Sequence, residues 1–208
     1  VRFESVAGVA AFVAASAGPG RTIVGIVGAP GAGKSTIGAE LVALLPNAML
    51  LPMDGWHLPQ SRLVELGRRE RMGAPDTFDV DGFVATLTAL AFGNSGVSVS
   101  APAFDRDLEQ PVPGAITLTP EFSKVVVVEG NYLLLGTGGW ERVAPLLDVS
   151  FFVSVDDDVR RARLIARHER HGKSPADATA WALGPDEANA VRIAATASRA
   201  DHTIALPG

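Results

Sequence analysis

Short continuous apolar runs along the chain alternate with stretches in which apolar residues recur every three to four positions. The runs Thr22–Val27, Val125–Val128 and Val149–Val153 predict buried strands, the second being the most β-branched, and Ala48–Leu51 predicts a short apolar strand closed by Pro52. Phe3, Val6, Ala10, Val13 and Ala14 predict an amphipathic helix within Val1–Ala17, stopped by Gly18-Pro19-Gly20. Ile37, Leu41, Leu44 and Leu45 predict a helix beginning near Lys34. Leu58–Arg71 reads as a charged helix, Gly73–Asp79 as a loop, and Asp81–Phe92 as a helix capped by Asp81 and ended by Gly93. Val97–Ala101 predicts a strand, Pro102–Pro113 a surface loop rich in Pro and acid, and Ala115–Leu118 a short antiparallel strand. Asp156–His171 predicts a long helix, Pro175–Ala182 and Pro185–Ser198 two more, and Thr203–Ala205 a closing strand. Such alternation predicts an α/β fold with a parallel sheet covered by helices on both faces. Ligands then gather beyond the strand carboxyl ends.

Composition narrows this picture. At 208 residues, 47% hydrophobic and 20% charged, the chain suits a single domain with a sizeable core. A net charge of −5 argues against general attraction to nucleic acid or to an anionic membrane surface, which leaves small molecules as the expected partners. The absence of cysteine excludes disulfides and thiolate zinc sites and is compatible with a reducing, cytoplasmic setting. Arg2 and Glu4 interrupt the first apolar stretch, so no export signal is expected, and no apolar run reaches the length of a bilayer span.

The residues Gly28-Ala29-Pro30-Gly31-Ala32-Gly33-Lys34-Ser35 follow the first buried run, open the helix after it, and fit the pattern G-x-x-x-x-G-K-[ST]. A linking turn would need none of these three features together. The pattern implies binding of a nucleoside triphosphate: backbone N–H groups wrap the phosphates, Lys34 sets a cation against the β and γ groups, and Ser35 offers a hydroxyl to Mg²⁺. The positive end of the helix, at Ser35 and Thr36, faces the same anion.

Other candidates stand at the same expected edge. Asp54 ends a strand expected to neighbour the loop strand; it is either the base that takes the proton of an acceptor hydroxyl or part of a plain Asp-Gly turn. Glu129 closes the Val125–Val128 run and either orients Mg²⁺ or simply enters a loop. Arg160, Arg163 and Arg167 share a stripe of the Asp156–His171 helix opposite Val159, Ala162, Ile165 and Ala166. They are either solvated surface or, with the hinge His171–Pro175, a lid that closes on the triphosphate. His57, Arg106 and Tyr132 are candidate acceptor contacts, although lone residues of these types in loops are commonly structural. Trp56, Phe78 and Phe104 line either an acceptor pocket or the core.

Four further segments accompany the phosphate loop: Pro52-Met53-Asp54-Gly55-Trp56-His57-Leu58-Pro59, Met72 to Asp79, Ala101 to Arg106, and Val128-Glu129-Gly130-Asn131-Tyr132 with the three leucines after it. In this order they resemble the phosphoribulokinase/uridine kinase family of P-loop kinases, and within it the pantothenate-kinase-like branch with proteins described as nucleoside/nucleotide or fructose transport system kinases. The resemblance spans nearly the whole chain. It implies a three-layer P-loop NTPase fold with a central parallel sheet, a single kinase domain over 1–208, and a small helical lid over about 157–182. It implies ATP and Mg²⁺ as cofactors, a small-molecule acceptor and a cytoplasmic setting, with a homodimer among the compatible assemblies. Gly28 to Ser35 and Thr36 would hold the nucleotide, Ser35 and Glu129 the metal, and Asp54 would be the base. Lys34, Arg163 and Arg167 would join it in catalysis, and His57, Arg106 and Tyr132 would hold the acceptor. Asp186 and Asn189 match a downstream Asp-x-x-Asn pair of undefined role.

Departures bear on the acceptor. Uridine kinases usually carry a different segment after the base and an Arg-Gly-Arg run in the lid, both missing here, and pantothenate kinases are substantially longer. The expected activity is therefore γ-phosphoryl transfer from ATP to a hydroxyl of a sugar or sugar-like acceptor. A nucleoside or pantothenate-type vitamin kinase is the alternative within the class. Outside it stand a nucleotide-dependent regulatory protein, which lacks the guanine-reading Asn-Lys-x-Asp signature here, and a catalytically silent binding module, which Asp54 argues against.

Overall fold

A computed structural model describes residues 1–18, 20–94, 96–106 and 108–206. Six parallel strands form the main sheet in the order β1 (Arg2–Phe3), β8 (His202–Ile204), β7 (Val149–Val153), β2 (Thr22–Val27), β6 (Val125–Gly130), β3 (Ala48–Pro52). Every residue of β2 and β6 is buried, because both faces of these strands are covered. On one face Ile23, Val27, Val126 and Val128 join Phe83, Leu87 and Leu90 of helix α4 (Val80–Phe92), together with Tyr132 and Trp140. On the other, Val24, Ile26 and Val127 join Val6, Val9 and Val13 of α1 (Val6–Ser16) and Ile37 and Leu41 of α2 (Lys34–Leu44). Alternate residues of one strand thus enter opposite cores, which makes the runs continuously apolar rather than alternating. The remaining helices are α3 (Gln60–Glu65), α5 (Asp157–Arg170), α6 (Pro175–Leu183) and α7 (Pro185–Ala194). The result is an α/β protein with a central parallel sheet between helical layers.

Several expectations are corrected. The strand that Asp54 follows does not neighbour the loop strand: β6 lies between β2 and β3. The first helix is preceded by β1, which pairs with β8 at the sheet edge. The stop before β2 is described only in part, since Pro19 lies outside the described residues. The expected helix Leu58–Arg71 breaks after Glu65, where Gly67 takes a left-handed φ of 64°, and only a short turn at Arg69–Arg71 follows. Helix α4 is capped by Asp79, not Asp81: its side chain accepts the Gly82 N–H at 2.9 Å. Helix α7 ends at Ala194, four residues short of Ser198.

The largest correction concerns the stretch Pro102–Pro113. It is not a loop but most of an antiparallel hairpin, β4 (Val99–Asp105) and β5 (Gln110–Leu118), with a register shift between Ala101 and Ala103. A two-stranded ribbon leaves each strand one unpaired edge, so Pro102, Pro111 and Pro113 remove no obligatory ladder bond. No helix among the described residues is long and apolar enough to cross a membrane.

Candidate active site

The loop between β2 and α2 turns through Gly31 at φ 80° and Gly33 at φ 94°, both in the left-handed region. A Cβ on Gly31 would also stand 2.7 Å from the Arg160 carbonyl oxygen, so the loop lies directly on α5. Lys34 opens α2 and is buried; its Nζ donates to the Ala29 carbonyl at 3.1 Å and so folds back across the loop. Burial pushes the Lys34 ammonium below its ordinary pKa, against the opposing pull of Glu129 and Asp54.

The strand register aligns the carboxyl ends of three strands. Glu129 of β6 sits level with Ile26 of β2 and Pro52 of β3. Its Oε1 accepts the Ser35 hydroxyl at 3.0 Å. Burial and the nearby Asp54 raise the Glu129 pKa, while Lys34 and the Ser35 hydrogen bond oppose the rise. A hydroxyl and a carboxylate held together beside a phosphate loop are hard oxygen donors of the kind Mg²⁺ takes alongside phosphate oxygens and water. The donor set therefore fits the ion. It is not an all-protein cage, since no cluster of three His, Cys, Asp or Glu among the described residues could hold a metal alone.

Two residues beyond β3, Asp54 lies in the short turn Met53–Trp56. The Asp-Gly pair does sit in a turn, but its Gly55 does not use the left-handed region. Its glycine answers a close approach: a Cβ there would stand 2.8 Å from the Pro102 carbonyl carbon and closer still to its oxygen. The β4–β5 hairpin thus docks on Gly55 and reaches the cleft from that side. Gly55→Ala is expected to displace the hairpin, lowering acceptor kcat/KM by on the order of a hundredfold while leaving ATP affinity within a few-fold. Steady-state kinetics and nucleotide titration check this.

The Asp54 carboxylate accepts from Arg106 at 3.1 Å. Burial raises its pKa, but a protonated His57, together with Arg106, Lys34 and Arg167, outweighs this and holds it below the usual aspartate range. His57 Nδ1 lies 2.8 Å from the Asp54 carbonyl, which can only accept, so Nδ1 carries the proton. Its ring sits between Phe78 and Phe104, with centroids 4.0 and 4.7 Å away. Burial pushes the His57 pKa down, against Asp54 and its backbone hydrogen bond. That lowering favours the uncharged ring, with its Nε2 lone pair unprotonated. One cleft joins Lys34, Ser35, Asp54, His57, Glu129 and Arg106, and Arg167 of α5 enters it from the other side.

The remaining candidates divide. Arg167 is half-buried in the cleft, its pKa lowered by burial and supported by Asp186. Arg163 instead borders, with Gly33 and Thr36, a separate cavity of about 590 Å³ on the opposite side of the loop. Arg160 is no part of a lid surface. It is buried between α5 and α7, with Nε donating to Asp157 at 2.9 Å and Nη2 to Glu187 at 2.6 Å, while Val159, Ala162 and Ala166 are exposed. Tyr132 is also withdrawn from the acceptor side: it is fully buried and its hydroxyl donates to the Gly73 carbonyl at 2.5 Å. Trp56 is core, packed edge-on against Phe83 at 4.9 Å.

Glu187 also accepts from Arg161 at 2.8 Å. These hydrogen bonds from Arg161 and Arg160 hold its pKa down to about 2 from 4.5. A depressed carboxylate contributes stability above its unfolded pKa and loses it as pH falls through the folded value. The wild type is therefore expected to lose melting temperature between pH 4.5 and 2 more steeply than Glu187→Gln, as thermal unfolding across pH would record.

Spacing did not single out Arg69, His168 or Lys173, which also line the cleft. The Asp186–Asn189 pair acquires a place: Asp186 meets His168 Nε2 at 2.7 Å, and Asn189 donates to the Gly73 carbonyl at 3.3 Å. Helix α7 thereby ties α5 to the segment after α3.

The sequence profile of the phosphoribulokinase/uridine kinase family matches residues 23–204. The chain belongs to this family. It is an ATP-dependent kinase. A crystal structure from Silicibacter sp. TM1040, provisionally described as a fructose transport system kinase, is 38% identical and superposes with a TM-score of 0.87 over 96% of this chain and 98% of that one. The uncharacterized protein YggC of Escherichia coli K12 is 33% identical over 192 residues, 89% of this chain and 78% of that protein. A uridine kinase of Latilactobacillus sakei is 27% identical over 155 residues, 73% of this chain and 69% of that enzyme.

Proposed function

We propose that this kinase transfers the γ-phosphoryl group of ATP to a hydroxyl of a sugar or sugar-like acceptor, with Asp54 as the base. The observation that carries the reading is the convergence of Lys34, the Ser35–Glu129 pair and Asp54 on one cleft at the carboxyl edge of β2, β6 and β3. The phosphates lie along Gly28–Ser35, and the nucleoside half occupies the cavity beside Thr36 and Arg163. Ser35 and Glu129 would hold Mg²⁺, which supplies charge neutralisation on the β and γ phosphates. The acceptor oxygen attacks the γ-phosphorus, its proton passes to Asp54, the bond to the β–γ bridging oxygen breaks and ADP leaves. Lys34 and Arg167 offset the charge on the transferring group. The unprotonated Nε2 of His57 accepts a hydrogen bond from an acceptor hydroxyl, which suits a polyol.

A nucleoside acceptor is the second reading. The relationship to a uridine kinase and the aromatic faces of Phe78 and Phe104 at the cleft favour it. ADP release with Mg²⁺ and ATP across sugars, sugar phosphates, nucleosides and pantothenate tests both. Stimulation by a sugar class supports the first reading, stimulation by nucleosides the second, and no stimulation by any acceptor contradicts kinase action on small hydroxyl compounds.

A further inference from the structure

We infer that the acceptor carries an oxyanion group, a carboxylate or a phosphate ester, and that this group draws Arg106 off Asp54 so that the base is free only when such an acceptor is bound. The inference rests on the kinase reading of the same cleft. Asp54 as found is not a free base: the Arg106 guanidinium holds one of its carboxylate oxygens at 3.1 Å. An arginine cannot give up its proton, so the pair is broken only by moving the side chain. Beyond Arg106 the hairpin is tied to α3 through Gln60, which donates to the Glu109 carbonyl at 3.0 Å. The guanidinium has room to move, because the Arg106 side chain is 46% exposed against 30% for Asp54. Half-exposed ion pairs are weak and exchange readily for a better partner.

The cleft wall on the acceptor side favours an anion as that partner. Arg69, Arg106 and Lys173 line it, with Glu109 and Asp186 the carboxylates beside them, in a chain whose net charge is −5. Glu109 partly balances this wall by pairing with Arg69 at 2.9 Å, and Asp54 is the balance for Arg106. A neutral polyol would leave the guanidinium on the base. An anionic acceptor supplies a replacement for the carboxylate, and bidentate pairing of arginine with carboxylate or phosphate supplies the geometry.

Matched acceptors that differ in one anionic group test this: glycerol against glycerate, pantothenyl alcohol against pantothenate, and ribose against ribose 5-phosphate. Binding is measured by calorimetry in the presence of Mg²⁺ and a non-hydrolysable ATP analogue, for the wild type and Arg106→Gln. At least one anionic member is expected to bind about tenfold or more tightly than its neutral partner, a preference that falls to about twofold in the variant. The pair that shows it distinguishes carboxylate from phosphate. Arg106→Gln is also expected to raise acceptor-independent ATP hydrolysis, because water then meets an unpaired Asp54. Equal binding within every pair, no binding by any member, a preference that survives Arg106→Gln, or unchanged hydrolysis overturns the inference. The kinase reading fails separately, if no acceptor stimulates ADP release whatever its affinity.

Discussion

Asp54→Asn is expected to lower kcat for acceptor phosphorylation by on the order of thousandfold, equivalent to about 4 kcal/mol of barrier, while the affinity for ATP stays within about threefold. The substitution keeps the shape of the side chain and an oxygen that can still accept from Arg106, but it removes the group proposed to take the proton. ATP binding is spared because Asp54 follows β3, outside the loop Gly28–Ser35. A drop in KM with little change in kcat would instead mean that Asp54 merely repels the triphosphate. Because the cations around Asp54 hold its pKa below the usual aspartate range, the acid limb due to this group lies below that range, and kcat/KM does not fall on its account through mildly acidic pH. A pH–rate profile of the wild type records this.

Lys34→Met is expected to reduce kcat/KM by at least on the order of thousandfold, and unlike the Asp54 change it weakens ATP binding as well. The ammonium stands at the first position of α2, where the helix terminus and the backbone N–H groups of the loop also face the phosphates. Lys34→Arg is expected to fail almost as completely. Lys34 is 8% exposed and its ammonium folds onto the Ala29 carbonyl, a point contact that a bulkier planar guanidinium does not reproduce. Nucleotide calorimetry and steady-state kinetics check both variants. A melting temperature within a few degrees of the wild type separates a lost charge from a lost fold.

Much of the fold was legible because its central strands are buried on both faces. Val125–Val128 and Thr22–Val27 have no polar face to interrupt them, and two-sided burial leaves that mark in a sequence. Strand order left no such mark. Crossover connections put β6 between β2 and β3, yet Asp54 still reaches the cleft because Pro52 aligns with Glu129 across that pairing. The hairpin was hidden by its prolines, which argue against a strand in a sheet interior but not in a two-stranded ribbon.

In the site, the phosphate loop was readable because one local segment builds it. Arg160 misleads for the opposite reason. Helical spacing identifies a stripe of α5 but not which stripe is buried, and the deciding partner, Glu187, lies 27 residues away. Tyr132 likewise follows a strand end as an acceptor contact would, but its hydroxyl is spent on Gly73, 59 residues earlier. The same long-range bonding gives Asp186 and Asn189 their places, which no local pattern contains.

A mass balance reads the phosphoryl transfer itself: with Mg²⁺, ATP and the best acceptor of the panel, ADP and the phosphorylated acceptor are quantified together in one reaction. Phosphoryl transfer through Asp54 predicts one phosphorylated acceptor per ADP in the wild type and loss of both in Asp54→Asn. ADP matched by inorganic phosphate, with the acceptor unmodified, would mean that the protein hydrolyses ATP and is no kinase for that acceptor.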